Sequence, residues 1–253
     1  MAAVPLIELQ DVHKAFGAKA VLRGTSLRVE PGETLVVLGR SGSGKSVTLK
    51  TIVGLLRPDS GRVRVGEVDV TRADRQTLSD VRRRVAYVFQ TGALVNWLTV
   101  RENVALPLVE RRELRRDEIR ERVEQTLTTF QLLEAADQYP DRISGGMRKR
   151  AALCRVLVQE PAVILYDEPT AGLDPILSRT VAEEIVKAQA GARSALVVTH
   201  DLDLAFAVAD RIALHHEGRL IEAADPATFQ SNPHPAVREF LDARHAPPRG
   251  EPA

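Results

Sequence analysis

Gly39–Ser46 reads GRSGSGKS, which sets three glycines, a lysine and three serine hydroxyls within one short loop. The spacing matches G-x-x-x-x-G-K-[ST], a pattern that cradles phosphate when a strand precedes it and a helix follows. An apolar run, Thr34–Leu38, comes before it, and a helical pattern, Lys45–Leu56, comes after it. Glycines let backbone N–H groups turn inward around phosphate oxygens, and the helix start adds partial positive charge. Lys45 is then placed for the β- and γ-phosphates, and the Ser46 hydroxyl is a candidate Mg²⁺ ligand.

A second chemical pair lies at Asp167 and Glu168, directly after the apolar run Val163–Tyr166. Adjacent acids are commonly a solvated turn. At the C-terminal end of a buried strand they stand where open α/β sheets bind ligands. Asp167 suits a metal-bound water, and Glu168 suits a base that polarises an attacking water. His200 follows the run Ala195–Thr199, at another strand end; a lone histidine is more often structural, and this position favours chemistry. A third feature is ISGGMRKR (Ile143–Arg150). Ser144 can cap a helix, Gly145 and Gly146 permit close backbone approach, and the helix dipole favours an anion there. A purely structural cap gives no reason for paired glycines.

These residues need strands to carry them. Leu6–Val12 alternates apolar and polar side chains, and Ala20–Val29 reads similarly. Strand-like pieces recur at Arg62–Gly66 and Val85–Phe89, then at Val163–Tyr166 and Ala195–Thr199 with a helical pattern, Leu177–Ala190, between them. Strands alternating with helices imply βαβ units and a parallel sheet. From about Thr91 to Glu160 helical patterns dominate, including the charge-laced Arg115–Phe130, and this reads as a helical insertion. The expected division is a core of residues 1–90 and 160–225, a helical part at 91–159, a C-terminal helical extension at 226–245 and a disordered tail at 246–253 rich in proline and charge.

Composition narrows the classes. The 253 residues are 44% hydrophobic and 27% charged, which is enough to bury a sizeable core. Lys+Arg number 35 and Asp+Glu 34, a net charge of +1, so nothing points to nucleic acid as a partner. The single cysteine, Cys154, excludes an intramolecular disulfide, makes a cysteine-based metal site poorly supported and fits a reducing, cytoplasmic location. MAAVPLIELQ lacks the basic and apolar regions of a signal peptide, and no run approaches eighteen apolar residues. If the protein works at a membrane, another chain must hold it there.

Together the motifs resemble an ABC-type ATPase subunit, and the resemblance covers nearly the whole chain. GRSGSGKS stands as Walker A, Gln90 in YVFQT as the Q-loop, ISGGM as the signature, VILYDE as Walker B, Ala171–Asp174 (AGLD) as the D-loop and His200 in VVTHD as the switch histidine. The resemblance implies a P-loop NTPase core of α/β class, with a mostly parallel sheet, an N-terminal antiparallel β region and an inserted α-helical subdomain. It implies ATP and Mg²⁺ as cofactors. Nucleotide contacts would come from Gly39, Arg40, Ser41, Gly42, Ser43, Gly44, Lys45, Ser46, Val47, Gln90 and Asp174, with Phe16 stacking on adenine. Ser46, Gln90 and Asp167 would serve the metal, and Lys45, Glu168 and His200 the chemistry. Two subunits would pair head to tail, Ser144, Gly145 and Gly146 of each meeting the γ-phosphate held by the other. Gln90 would sense γ-phosphate and metal, and a groove beside it would receive a coupling helix from a membrane permease.

Two departures point to a subfamily. Met147 stands where the signature commonly ends in glutamine, and Val47 where threonine is frequent. With GKSVTLK, FQTGALVNWLTVRENVALPL, ISGGMRKRAAL and YDEPTAGLDPI, they resemble the ATPases of Mla/Mce-type systems, which move phospholipids or other hydrophobic compounds between membranes. That resemblance implies an Mce-domain substrate-binding partner. The alternative within transporters is an importer of amino acids or other small solutes. A soluble ABC ATPase usually carries two cassettes or a long coiled coil, and here there is one cassette without sustained heptads. A non-hydrolysing scaffold is disfavoured by Glu168 and His200. Beyond Ala223, Val237, Phe240 and Leu241 lie at helical spacing and are expected to cover the chain's own core rather than a partner.

Overall fold

Alternation of side chains along the strands builds the molecule around two apolar interiors. The computed structural model describes residues 6–89, 93–190 and 193–243. Gln90 and the tail 246–253 therefore lie outside the described residues. In chain order the elements are β1 (Ile7–Phe16), β2 (Lys19–Val29), β3 (Thr34–Leu38), α1 (Lys45–Ile52), β4 (Ser60–Val65), β5 (Val68–Asp69), α2 (Arg75–Arg84) and β6 (Val85–Val88). There follow α3 (Val100–Arg111), α4 (Arg116–Thr129), α5 (Gly145–Leu157), β7 (Val163–Asp167), α6 (Pro175–Ala190), β8 (Ser194–Thr199), α7 (Leu202–Val208), β9 (Arg211–His216), β10 (Arg219–Ala224), α8 (Pro226–Gln230) and α9 (Pro235–Asp242).

One sheet runs β10-β9-β3-β8-β7-β6, parallel from β9 to β6, with β10 antiparallel at its edge. The other runs β2-β1-β4-β5 and is antiparallel. Every residue of β3, β7 and β8 is buried, as expected of parallel strands covered on both faces. Val36 and Leu38 of β3 join one core while Leu35 and Val37 join the other; Val197 and Leu196 of β8 divide the same way. Each such side chain fully removed from water contributes about 1.5–3 kcal/mol, so both faces fix the strand ends that lead to the phosphate loop, to Asp167 and to His200.

The first core is extended by α3, α4 and α5. Val100, Val104 and Leu108 repeat every four residues along one face of α3, and all three are buried. Thr99 and Glu102 form a reciprocal capping box at its start. Cys154 of α5 is fully buried and its thiol is pushed up by that burial, so it behaves as a small apolar residue.

The elements differ from the sequence reading at several places, and β5 and α7 are among those it does not contain. The helix expected over Lys45–Leu56 ends at Ile52, because Gly54 turns left-handed (φ 63°) and the Leu55 and Leu56 amides fold back on the Lys50 carbonyl. Helix α2 has no counterpart in the sequence reading; it is polar along most of its length and is capped by the Asp74 side chain. Strands β9 and β10 have none either, since they are separated by only Glu217 and Gly218. At the C-terminus, Val237 is fully buried and Phe240 and Leu241 pack on the same core, so α9 covers the chain's own interior.

Candidate functional site

The loop Gly39–Gly44 joins β3 to α1, with Gly44 in a left-handed conformation (φ 116°) at the helix start. Lys45 is 5% exposed, and its ammonium is fully engaged. It donates to Gly39 O (2.7 Å) and Arg40 O (3.2 Å) and lies 3.2 Å from Glu168 Oε1. Beside it, Ser46 Oγ donates to Asp167 Oδ1 at 2.7 Å. Tyr87 OH donates to the other Asp167 oxygen at 2.8 Å. Burial, then the Asp167 charge and hydrogen bond, hold the Tyr87 phenol far above its ordinary value, so it stays a donor.

Asp167 closes β7, and Glu168 follows it with φ 50°, a left-handed conformation that side chains with a Cβ adopt at a cost of about 1–3 kcal/mol. The neighbourhood holds it there. Its N–H donates to Val198 O of β8. Its Oε2 accepts from Thr199 Oγ1 and the His200 N–H, each at 3.3 Å, and lies 2.7 Å from His200 Nδ1. The carboxylate thereby selects the tautomer of His200 with a proton on Nδ1. Glu168 is buried, whereas the His200 side chain is 61% exposed. A cavity of about 690 Å³ opens on this face, lined by Arg40, Ser41, Glu168 and His200. The arrangement brings one ammonium, two carboxylates, a hydroxyl and an imidazole to the end of a parallel sheet, where polyanion binding and activation of a water are chemically available.

The ISGGM segment is built differently. Ser144 Oγ accepts from Met147 N at 3.2 Å and caps α5. Ser144 and Gly145 are exposed. A methyl group on Gly145 would find its nearest neighbour at 3.7 Å, and on Gly146 also at 3.7 Å, from Leu177 of α6. The fold therefore has room for side chains that the sequence withholds. Among the described residues, no hydrogen bond or ion pair joins Ser144–Gly146 to the Gly39–Val47 loop. Asp174 is likewise used within the chain, its Oδ1 accepting from Ile176 N and Leu177 N at the start of α6. Phe16 is 48% exposed at the tip of the β1–β2 hairpin. Val47 packs, half-buried, on the second core.

A family model described as ABC transporter matches residues 22–171, more than half of the chain. The chain belongs to the ABC transporter family. As such it is an ATP-hydrolysing transport subunit. It is 39% identical to Protein TRIGALACTOSYLDIACYLGLYCEROL 3, chloroplastic, of Arabidopsis thaliana, over 93% of this chain and 73% of that protein. It is 36% identical to the probable ribonucleotide transport ATP-binding protein mkl of Mycobacterium tuberculosis, over 96% of this chain and 68% of that one. The dimeric structure of the ATP-binding cassette MJ0796 bound to ADP and Pi superposes with a TM-score of 0.81 at 30% identity, covering 87% of this chain and 98% of that chain.

Within this ABC cassette some contacts escape motif reading. Tyr87 stands three residues before Gln90 and shares Asp167 with Ser46; an aromatic hydroxyl inside an apolar strand was the available signal. Thr199, next to His200, bonds Glu168. Thr170 Oγ1 donates to Asp201, which caps α7. Arg40 pairs with Glu239 of α9 at 2.7 Å, a contact without any local signal.

Proposed function

We propose that this ABC subunit works as a head-to-tail pair beneath a membrane permease and drives movement of phospholipid or another hydrophobic compound between membranes, with an Mce-domain protein in the complex. Residues 1–90 and 160–225 hold the nucleotide in this reading, and 91–159 carry the signature toward the second copy. In this reading the permease holds the pair at the cytoplasmic face of the membrane.

The observation that carries the chemistry is the cluster of buried Lys45, Asp167 and Glu168 with half-buried Ser46 and the exposed His200. The triphosphate lies at the α1 start, Phe16 stacking on adenine and loop amides facing the phosphates. Lys45 exchanges its bonds to Gly39 O, Arg40 O and Glu168 for phosphate oxygens. This frees Glu168 Oε1 while His200 and Thr199 still hold Oε2. Glu168 accepts the proton of the attacking water as its oxygen bonds to the γ-phosphorus and the bond to the β-phosphate oxygen breaks. Ser46 and Asp167, with Gln90, would hold Mg²⁺. These oxygens suit a hard cation that would take its further ligands from phosphate and water. A cation held by these residues would supply neutralisation of charge on the β- and γ-phosphates. The Ser144 helix of the second copy completes the site from the other side.

The lipid assignment draws support from the sequence around Val47 and Met147 and from the Arabidopsis relative, whose name refers to a galactolipid. A second reading, import of a small solute, draws support from 34% identity to the methionine import ATP-binding protein MetN of Brucella abortus. Purification from membranes with the permease, followed by mass spectrometry of bound compounds and ATP turnover with and without added phospholipid, separates them. Bound phospholipid and lipid-stimulated turnover support the first; a lipid-free complex stimulated by an amino acid overturns it.

A further inference from the structure

Strand β9 places His215 in an apolar setting, after Ile212, Ala213 and Leu214, all of them buried. His215 is 1% exposed, and neither ring nitrogen has a hydrogen-bond partner. Buried polar atoms are costly without partners, and native structures leave few of them so. The residue lies under the phosphate loop. A methyl group on Gly44 would sit 2.9 Å from His215 Cε1, and one on Gly39 would sit 2.7 Å from the His215 carbonyl oxygen and 3.4 Å from its Cβ. His215 therefore forms the seat on which both the first and the last glycine of the loop rest. A leucine or phenylalanine would fill such a seat without orphaned nitrogens.

A second orphan stands beside it. Ser43 Oγ is buried without a partner and lies 2.9 Å from the same methyl position on Gly39. A hydroxyl both donates and accepts, and a neutral imidazole offers one N–H and one bare nitrogen, so the two groups are chemically complementary. In the present arrangement the loop is drawn around Lys45 through the Gly39 and Arg40 carbonyls. A triphosphate that takes Lys45 away from those carbonyls releases the loop to settle differently.

We infer that His215 is a positioning residue for the phosphate loop: when the loop wraps a triphosphate, the buried imidazole and the Ser43 hydroxyl become hydrogen-bond partners and hold the loop in its phosphate-binding form. This rests on the reading of Gly39–Ser46 as the nucleotide site. Burial first, then the charges of Lys45 and His216, push His215 down to about 4, so the ring is neutral at ordinary pH and carries the single N–H that the pairing needs.

The test uses the full chain carrying Glu168→Gln to slow turnover, labelled with ¹⁵N-histidine and titrated with ATP and Mg²⁺. His215 signals are assigned by their loss in His215→Gln. On ATP binding, one His215 ring nitrogen should shift as a hydrogen bond forms. If ATP binds and neither His215 nitrogen responds, the proposal is overturned; if ATP does not bind at all, the nucleotide reading itself fails. In parallel, His215→Leu and Ser43→Ala should each weaken ATP binding by about 5- to 10-fold, the worth of one hydrogen bond. His215→Gln, which keeps a donor and an acceptor, should recover part of the loss. The Leu/Ala double variant should bind no worse than the weaker single one. Wild-type affinity in His215→Leu, or losses that multiply in the double variant, overturns the proposal. If His215→Leu does not fold, the ring-nitrogen measurement on the chain with His215 intact decides.

Discussion

Two helix starts in this chain are shaped for an anion, and the fold treats them in opposite ways. At α1 the loop is backed by β3, Lys45 is buried and engaged by three oxygens, and Ser46 is tied to Asp167 on β7. At α5 the start is exposed, its serine caps its own helix, and the ground around both glycines is open. The dipole and the free N–H groups are common to both. What differs is whether the tertiary contacts that make a site selective come from the same chain. The first is organised in advance by its own sheet. The second is an exposed helix start that, in the head-to-tail reading proposed above, another copy would complete.

The hardest blow to this contrast comes at Glu168. Glu168→Gln should lower ATP turnover by on the order of a thousandfold, a general base's contribution, while ATP binding persists and the pair stays closed. Steady-state turnover and light scattering with ATP check it; a variant that turns over normally removes Glu168 from the chemistry. Lys45→Ala should come next, weakening ATP binding roughly 100-fold, or about 3 kcal/mol, by removing a buried cation from the phosphate site. Unchanged affinity in calorimetry would refute the α1 half of the comparison.

A pH experiment reaches the loop's seat. His215 is depressed in the folded chain to about 4 against an ordinary value of 6.5. The unfolded chain therefore binds a proton in this window that the native one refuses. The contribution to stability is complete above about pH 6.5 and is lost as pH falls toward 4. Its upper limit is about 3 kcal/mol. Denaturant melts across this window should show a shallower pH slope in His215→Leu than in the unsubstituted chain; equal slopes contradict the burial.

The smallest and sharpest test is Gly146→Ala. The added methyl meets nothing closer than 3.7 Å, and alanine favours helix, so the isolated subunit should gain about 0.5–1 kcal/mol. Turnover should nevertheless fall by about tenfold, because the methyl would weaken the fit to a surface this chain does not supply by about 1.4 kcal/mol. A variant both more stable and fully active would mean that nothing approaches Gly146 closely.

Much of the architecture was legible because it is written in contiguous residues. Thr34–Leu38, Val163–Tyr166 and Ala195–Thr199 are short, largely apolar runs, and such runs signal strands covered on both faces. Asp167 and Glu168 follow the second run and His200 the third, while Lys45 lies at the end of the glycine loop that follows the first, so all were readable as candidates. Helix α2 was not readable, because its apolar side is only Leu78 and Val81, three residues apart in a stretch that is otherwise polar and basic. The roles of Tyr87, despite its hydroxyl in an apolar strand, and of His215 were not readable for a different reason. Each looks locally like an ordinary strand residue, and its meaning comes from what lies across the sheet.

By itself the sequence determined the βα alternation, the glycine loop with its lysine, the acid pair and the serine-capped basic helix, since local periodicity, capping and turn chemistry depend on near neighbours. Only the tertiary structure decided that Lys45 meets Glu168, that Tyr87 shares Asp167 with Ser46, and that His215 lies beneath the phosphate loop. Those contacts follow from the strand order β10-β9-β3-β8-β7-β6, which sets β9 and β8 on either side of β3 and β7 next to β8. The order is settled by burying both faces of the sheet at once, a global balance of apolar area that no short stretch of chain encodes.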